Sequence, residues 1–302
     1  MTARLLVRER LWRIPLRRWP GLTRDVVREA AHDRVTTIAG SLSFHAFLAL
    51  LPVVLATVGL LNLAGLSSGA LHSLVHATST LLPHQMSSIL NQELLRPPAR
   101  RVNIAEAVVG LAVALWSSIE AMAALQVALD LAYEVPGDRG FVGRRLAALP
   151  LIGVTVVVGG SASALLVLGG PIGRLVPGEL RPLLGVLRYA GSLVLLSLLL
   201  SVFYSLGPAR ERFRWEWVSP GSVVAATGWV LTSLAFSFYL DHFGHESRTY
   251  GALAGVAVTL LWLFLTAVVV LMGAELNCEL ERVVSPETAA PRQRGLSSSA
   301  RP

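Results

Sequence analysis

Six long apolar blocks dominate the hydrophobic pattern of this chain, at about 37–63, 104–131, 146–169, 184–206, 220–240 and 250–274, and polar segments separate them. Each block approaches the ~20 residues that a helix rising about 1.5 Å per residue needs to cross a hydrocarbon core. No water is available there to bond backbone N–H and C=O groups, so a segment of this kind spans as a helix. The pattern predicts an all-α fold, a polytopic integral membrane helical bundle with six transmembrane helices.

Composition agrees. Hydrophobic residues fill 53% of the 302 positions and charged residues 15%, with a mean hydropathy of +0.60, an excess of apolar surface that calls for lipid. Arginine sets the expected orientation, because cytoplasmic loops hold the positive excess. Nineteen arginines fall in the first segment, the 132–145 and 207–219 loops and the C-terminal tail, against seven in the intervening loops, which predicts both termini inside (N-in, C-in).

Three regions follow. Residues 1–35 mix arginine with Trp12, Ile14 and Trp19 and read as a cytoplasmic or interfacial segment, interrupted by Pro15 and Pro20. A helical pattern from Thr23 to Ala39 runs into the first span, which has no clear cleavage site after it and is expected to stay as an anchor. The membrane domain covers 36–282 and includes an outward loop at about 65–103, helical and amphipathic over 69–82 and 84–95; a disordered cytoplasmic tail over 283–302 completes the chain.

All 26 basic residues are arginine, which removes Schiff-base and P-loop lysine chemistry, and the single cysteine, Cys278, removes an internal disulfide and cysteine-based zinc. The net charge of +7 sits beside apolar runs, where it reads as a topology signal and as contact between the N-terminal arginines and anionic lipid headgroups. No nucleic-acid partner and no cofactor are expected, and the pattern carries no sign of an oligomeric state.

The second span is the most informative. Glu106, Gly110, Val113, Ser117, Glu120, Ala124 and Ala128 fall on one face, and Leu111, Leu115, Met122, Leu125 and Leu129 on the other. A small and acidic stripe predicts a helix packed inside the bundle with its carboxylates away from lipid. Glu120 lies near mid-span, where it must be protonated, paired or next to water. It is either a proton- or substrate-handling group or a neutral acid bonded to nearby hydroxyls. The candidate polar interior is therefore Glu120, Glu106, Ser117 and His45, the last inside the first span, seven residues before a kinking Pro52. Gly110, Gly251, Gly255 and Gly273 are candidate helix-packing positions, and Glu275, Asn277, Glu279 and Glu281 are expected to be interfacial. His72, His76, His84, His242 and His245 are expected to be solvated side chains and not a metal site, since no HExxH accompanies them.

Several segments carry a family resemblance: SLSFHAFLALLP at 41–52, LWSSIEAMAALQVALDLAYEV at 115–135, RGFVGRRLAAL at 139–149, FYSLGP and WEWVSPG within 203–221, and YGALAGVAVTLLWLFLTAVVVLMGAELNCELER at 250–282. Over about residues 23–282 the chain resembles the YihY/BrkB family of bacterial inner-membrane proteins, sometimes labelled virulence factor or ribonuclease BN. It departs from that pattern where His45 replaces a usual tyrosine, Ala49 a serine and Asp130 an asparagine. The resemblance implies a six-helix bundle in the bacterial cytoplasmic membrane. The ribonuclease label asks for a metal or acid–base cluster facing cytoplasmic RNA. Only His32 among the seven histidines is expected on that side, so no catalytic residue is assigned and a non-enzyme is expected.

Two functional readings stand ahead of a nuclease. One is a transporter or flippase-like protein for a lipid or other amphipathic molecule, suggested by the Glu120 stripe and by breaks at Gly159-Gly160 and Gly169-Gly170-Pro171. The other is a non-catalytic membrane or envelope factor that works through partners, suggested by the arginine-rich N-terminal segment and the outward helical cap.

Overall fold

The computed structural model describes residues 19–63, 104–165, 177–210, 219–243 and 251–284. The described residues are helical apart from short turns. The helices are α1 (Trp19–His32), α2 (Val35–Leu63), α3 (Ile104–Ala132), α4 (Gly140–Val154), α5 (Arg181–Leu206), α6 (Pro220–Phe243) and α7 (Gly251–Val284). All but α1 belong to segments long and apolar enough to cross a membrane, six among the described residues, which makes this a multi-pass membrane protein.

Neighbours in sequence are neighbours in space. Packing runs from α2 to α3, α4, α5, α6 and α7, and α7 closes the ring on α2 while also touching α3 and α1. Each span keeps one face bare for lipid, as in the row Val142, Leu146, Leu149 and Val157 on the α4 segment and the row Leu231, Leu234 and Phe238 on α6. Inter-helix contact uses small residues and hydroxyls. The Trp229 indole donates to Thr266 Oγ1 at 3.2 Å, Trp262 donates to Ser233 at 3.3 Å, and Ser192 donates across to the Ala162 carbonyl at 3.2 Å.

Four features of the elements differ from the sequence reading. The helix expected over Thr23 to Ala39 is broken: Asp33 and Arg34 form a turn, Arg34 takes φ +53°, and α1 separates from the first span. Charge hid the start of the third span, which begins at Gly140, so Arg144 and Arg145 are helical and not loop residues. The α4 segment continues past Thr155 through a π-helical turn, Thr155–Gly159, where the Thr155 hydroxyl donates back to the Leu151 carbonyl at 2.8 Å. The break expected at Gly159-Gly160 is thus a widened turn inside a continuing helix. Finally, α7 runs about three turns beyond its apolar block, to Val284. The outward loop at 65–103, the Gly169-Gly170-Pro171 segment and the tail from 285 lie outside the described residues.

Candidate functional site

One end of the bundle is polar. It holds the α3–α4 turn, the C-terminal ends of α5 and α7, the N-terminal ends of α2 and α6, and α1. Each helix end there leaves orphan backbone groups, and buried side chains satisfy them. Ser219 caps α6 in the motif Ser219-Pro220-Gly221-Ser222: Ser219 Oγ accepts the Ser222 N–H and Ser222 Oγ accepts the Ser219 N–H, both at 3.2 Å. Asn277 of α7 takes the next donor, accepting the Gly221 N–H at 2.8 Å and donating to Ser219 Oγ at 2.8 Å. At the end of α5 the Arg139 guanidinium donates to the carbonyls of Leu206, Gly207 and Pro208 at 3.2, 2.8 and 2.8 Å, and to Gln126 Oε1 at 3.1 Å. Asp130 accepts the Ala209 N–H at 2.7 Å and so holds the turn that follows α5.

Ion pairs lace these caps together. Arg144 meets Asp138 at 2.6 Å and Asp130 at 3.6 Å. Arg210 meets Glu281 at 3.0 Å and stacks on the Tyr133 ring 3.7 Å from its centroid. Arg282 bridges Glu134 at 2.6 Å and Glu279. Burial raises the Tyr133 phenol well above its usual range, with Glu281 adding to the effect and Arg210 opposing it, so the ring stays neutral. Asp33 is also raised, first by burial and then by Glu29 and Glu134.

The polar residues of α7 expected to be interfacial pack inside the protein: Glu275, Asn277 and Glu279 are buried, with exposures of 1%, 5% and 7%. Sequence spacing placed them past an apolar block and so outside the core. The cause is tertiary: α1 folds over the end of α7, with Val26 packed against Leu276 and Leu280.

A second charged feature lies inside the spans. Glu120 of α3 accepts from Arg145 of α4 in a forked pair, Nε and Nη2 to Oε1 at 2.9 and 2.7 Å and Nη2 to Oε2 at 2.9 Å. The guanidinium lies 3.4 Å from the Phe141 ring centroid and 5.7 Å from that of Trp116. Both rings are largely exposed, and the pair itself is half-buried, with Glu120 31% and Arg145 21% exposed. Glu120 therefore points toward α4 and the bundle's edge, whereas the sequence reading placed it in the bundle's polar interior. Arg145 is the partner that reading missed, because an arginine beside two others was counted as loop.

The other candidates are spread out. Ser117 is half-buried on α3, and His45 is half-buried on α2 with Nδ1 2.9 Å from the Ser41 carbonyl, which makes that nitrogen the donor. Glu106 starts α3, and its side chain lies outside the described residues, as do the surroundings of Gly251. Gly255 is buried. Gly273 is pressed against α6, whereas Gly110 is exposed with open space where a Cβ would go, so it makes no helix contact among the described residues. The predicted two-faced α3 is instead graded along its length. Val108 to Val113 are exposed, while Met122 and Leu129, placed on the lipid side from sequence, are buried together with Ala128. Three neighbours, α2, α4 and α7, surround the polar-end half of α3, so no single stripe decides its burial.

Comparison with known proteins places the chain among membrane proteins. The sequence pattern of the family described as virulence factor BrkB matches residues 26–296. The chain is 33% identical over 179 residues to a putative ribonuclease-like protein, YfkH, of Bacillus subtilis, covering 57% of this chain and 65% of that one. It is 29% identical over 284 residues to a UPF0761 membrane protein of Laribacter hongkongensis, covering 90% and 64%, and 27% identical over 265 residues to one of Nitrosospira multiformis, covering 84% and 59%. The chain thus spans less than two thirds of the length of these curated relatives. No solved structure matches it.

Proposed function

The chain belongs to the virulence factor BrkB family of membrane proteins, and from that premise we propose that it is a transporter or flippase-like protein for a lipid or other amphipathic molecule. It sits in the bacterial cytoplasmic membrane with its polar end inside. The observation that carries this reading is the Glu120–Arg145 pair at the edge of the bundle, flanked by exposed Trp116 and Phe141. Glu120 lies about 18 Å, some twelve residues, from the Ala132 end of its span. An ion pair is not needed to hold two apolar helices together, since apolar replacements of a buried pair are often neutral or stabilising. Charges at membrane depth mark pathways for polar groups. A partly open acid–arginine pair beside two exposed aromatics suits a headgroup that carries phosphate and amine, with phosphate on Arg145 and amine on Glu120.

The test is reconstitution in liposomes with lipid-scrambling and ion-flux readouts. The double variant Glu120→Gln/Arg145→Gln removes both charges and strands neither, so its stability should stay within about 1 kcal/mol of the parent while lipid movement is lost. Parental lipid movement in that variant would refute the reading. Orientation is tested by cysteines at Asp138 and Glu179, both exposed, in a Cys278→Ala background. An outside reagent should label position 179 and not 138.

One feature favours the second reading, a membrane factor acting through partners. Thr23, Arg24, Val27, Arg28 and Ala31 of α1 line a shallow recess outside the bundle, and the exposed Arg24 and Arg28 suit anionic headgroups. Folded protein that moves no lipid, yet loses vesicle binding on Arg24→Gln/Arg28→Gln, would favour it.

A further inference from the structure

Glu275 is the most deeply buried acid among the described residues, 1% exposed, and its Oε1 has no hydrogen-bond partner there. The charges acting on it are mostly of its own sign. Asp33 acts from the turn after α1, Glu29 from α1 and Glu279 from the next turn of α7, with Arg282 as the opposing charge. Glu134, at the end of α3, and Glu279 already bind Arg282, so one cation is shared among several carboxylates. The Cys278 thiol, on the same helix, is a further group in its field. Asp33 Oδ2 is likewise buried without a partner. Glu275 Oε1 therefore has neither solvent nor a donor to stabilise a charge, and holding a proton lightens that penalty.

We propose that Glu275 is a proton-binding site, sealed by α1, and that its protonation gates the transport proposed above. The packing supplies the gating. α1 lies on α7 through Val26 against Leu276 and Leu280, and its Ala30 joins the cluster around Leu271. A neutral Glu275 lets Glu29 and Asp33 sit close. Loss of the proton as a hydrated ion leaves a carboxylate facing two others across that contact, and their repulsion lifts α1 and admits water to the polar end. Protonation from the polar side closes it again. The transport role rests on the preceding reading, but the site does not.

Infrared difference spectra of the full chain in lipid, stepped in pH, read the proton directly. The parent should show the carbonyl band of a buried carboxylic acid at neutral pH. Glu275→Gln, whose amide imitates the protonated acid, should lose that band and keep its thermal stability. Asp33→Asn should move the band's midpoint to lower pH, since a like charge is gone. An unchanged band in folded Glu275→Gln overturns the proposal; if that variant does not fold, an unmoved midpoint in Asp33→Asn overturns it. In liposomes carrying a fluorescent phosphatidylethanolamine, lipid movement should change with the pH on the polar side in the parent and not in Glu275→Gln. A titrating Glu275 without any lipid movement would leave the proton site standing and remove the transport reading. A pH dependence unchanged in Glu275→Gln would remove the gating.

Discussion

Gly273 and Gly110 carry the same expectation from sequence, a small residue at a helix contact, and the structure separates them by energy. A Cβ added to Gly273 would sit 2.6 Å from Ala225 Cβ, 2.6 Å from Tyr204 Oη and 2.8 Å from the Gly221 carbonyl oxygen. Comfortable carbon contacts are about 3.5–4.0 Å, so roughly 1 Å of movement is required on three sides. Two of those sides are main chain or Cβ of α6, which move only with the helix. The third is a hydroxyl held by its bond to the Val270 carbonyl at 2.7 Å. Overpacking of this kind costs about 1–3 kcal/mol, and a weakened Tyr204 bond adds about 1 kcal/mol. Alanine's better helix propensity returns about 1 kcal/mol. Gly273→Ala should therefore destabilise by about 2 kcal/mol. Gly110→Ala meets nothing within 4 Å and should gain up to ~1 kcal/mol from propensity alone. Equilibrium unfolding in mixed micelles, followed by tryptophan fluorescence, compares the two. Gly273→Ala as stable as Gly110→Ala would refute the packing argument.

Arg139→Ala removes the donor shared by three carbonyls at the end of α5 and should cost about 3 kcal/mol in the same unfolding assay, with Arg139→Lys recovering less than half because an ammonium lacks the planar fork. Asp33 binds its proton more tightly folded than unfolded, so that contribution is fully present below about pH 4 and is lost as pH rises through the raised value. Thermal stability of the parent should fall over that window, and Asp33→Asn should flatten the fall; an unchanged slope would contradict it. Protein freed of contaminating nucleases should leave tRNA precursors intact with magnesium, manganese or zinc, and metal-dependent cleavage that disappears on Glu134→Gln would overturn the non-enzyme expectation.

Hydropathy by itself determined the fold class and the number of spans, because crossing a bilayer is a local demand on some twenty residues at a time. Motifs determined the family, since strings such as those around Tyr204 and Asn277 are read without knowing what they touch. Charge within a span was read less well. Glu120 was recognisable as a residue needing a partner, but its partner lies 25 residues away, and only the packing of α3 on α4 could name Arg145. Glu275 looked interfacial because burial there comes from α1, a separate helix laid over the end of α7 after a turn at Asp33 and Arg34. A one-dimensional pattern reports how often a residue type recurs along its own helix. Which neighbours close over that helix, and whether a glycine such as Gly273 meets a backbone or open space, is decided by pairs of segments distant in sequence, and only the tertiary structure holds that information.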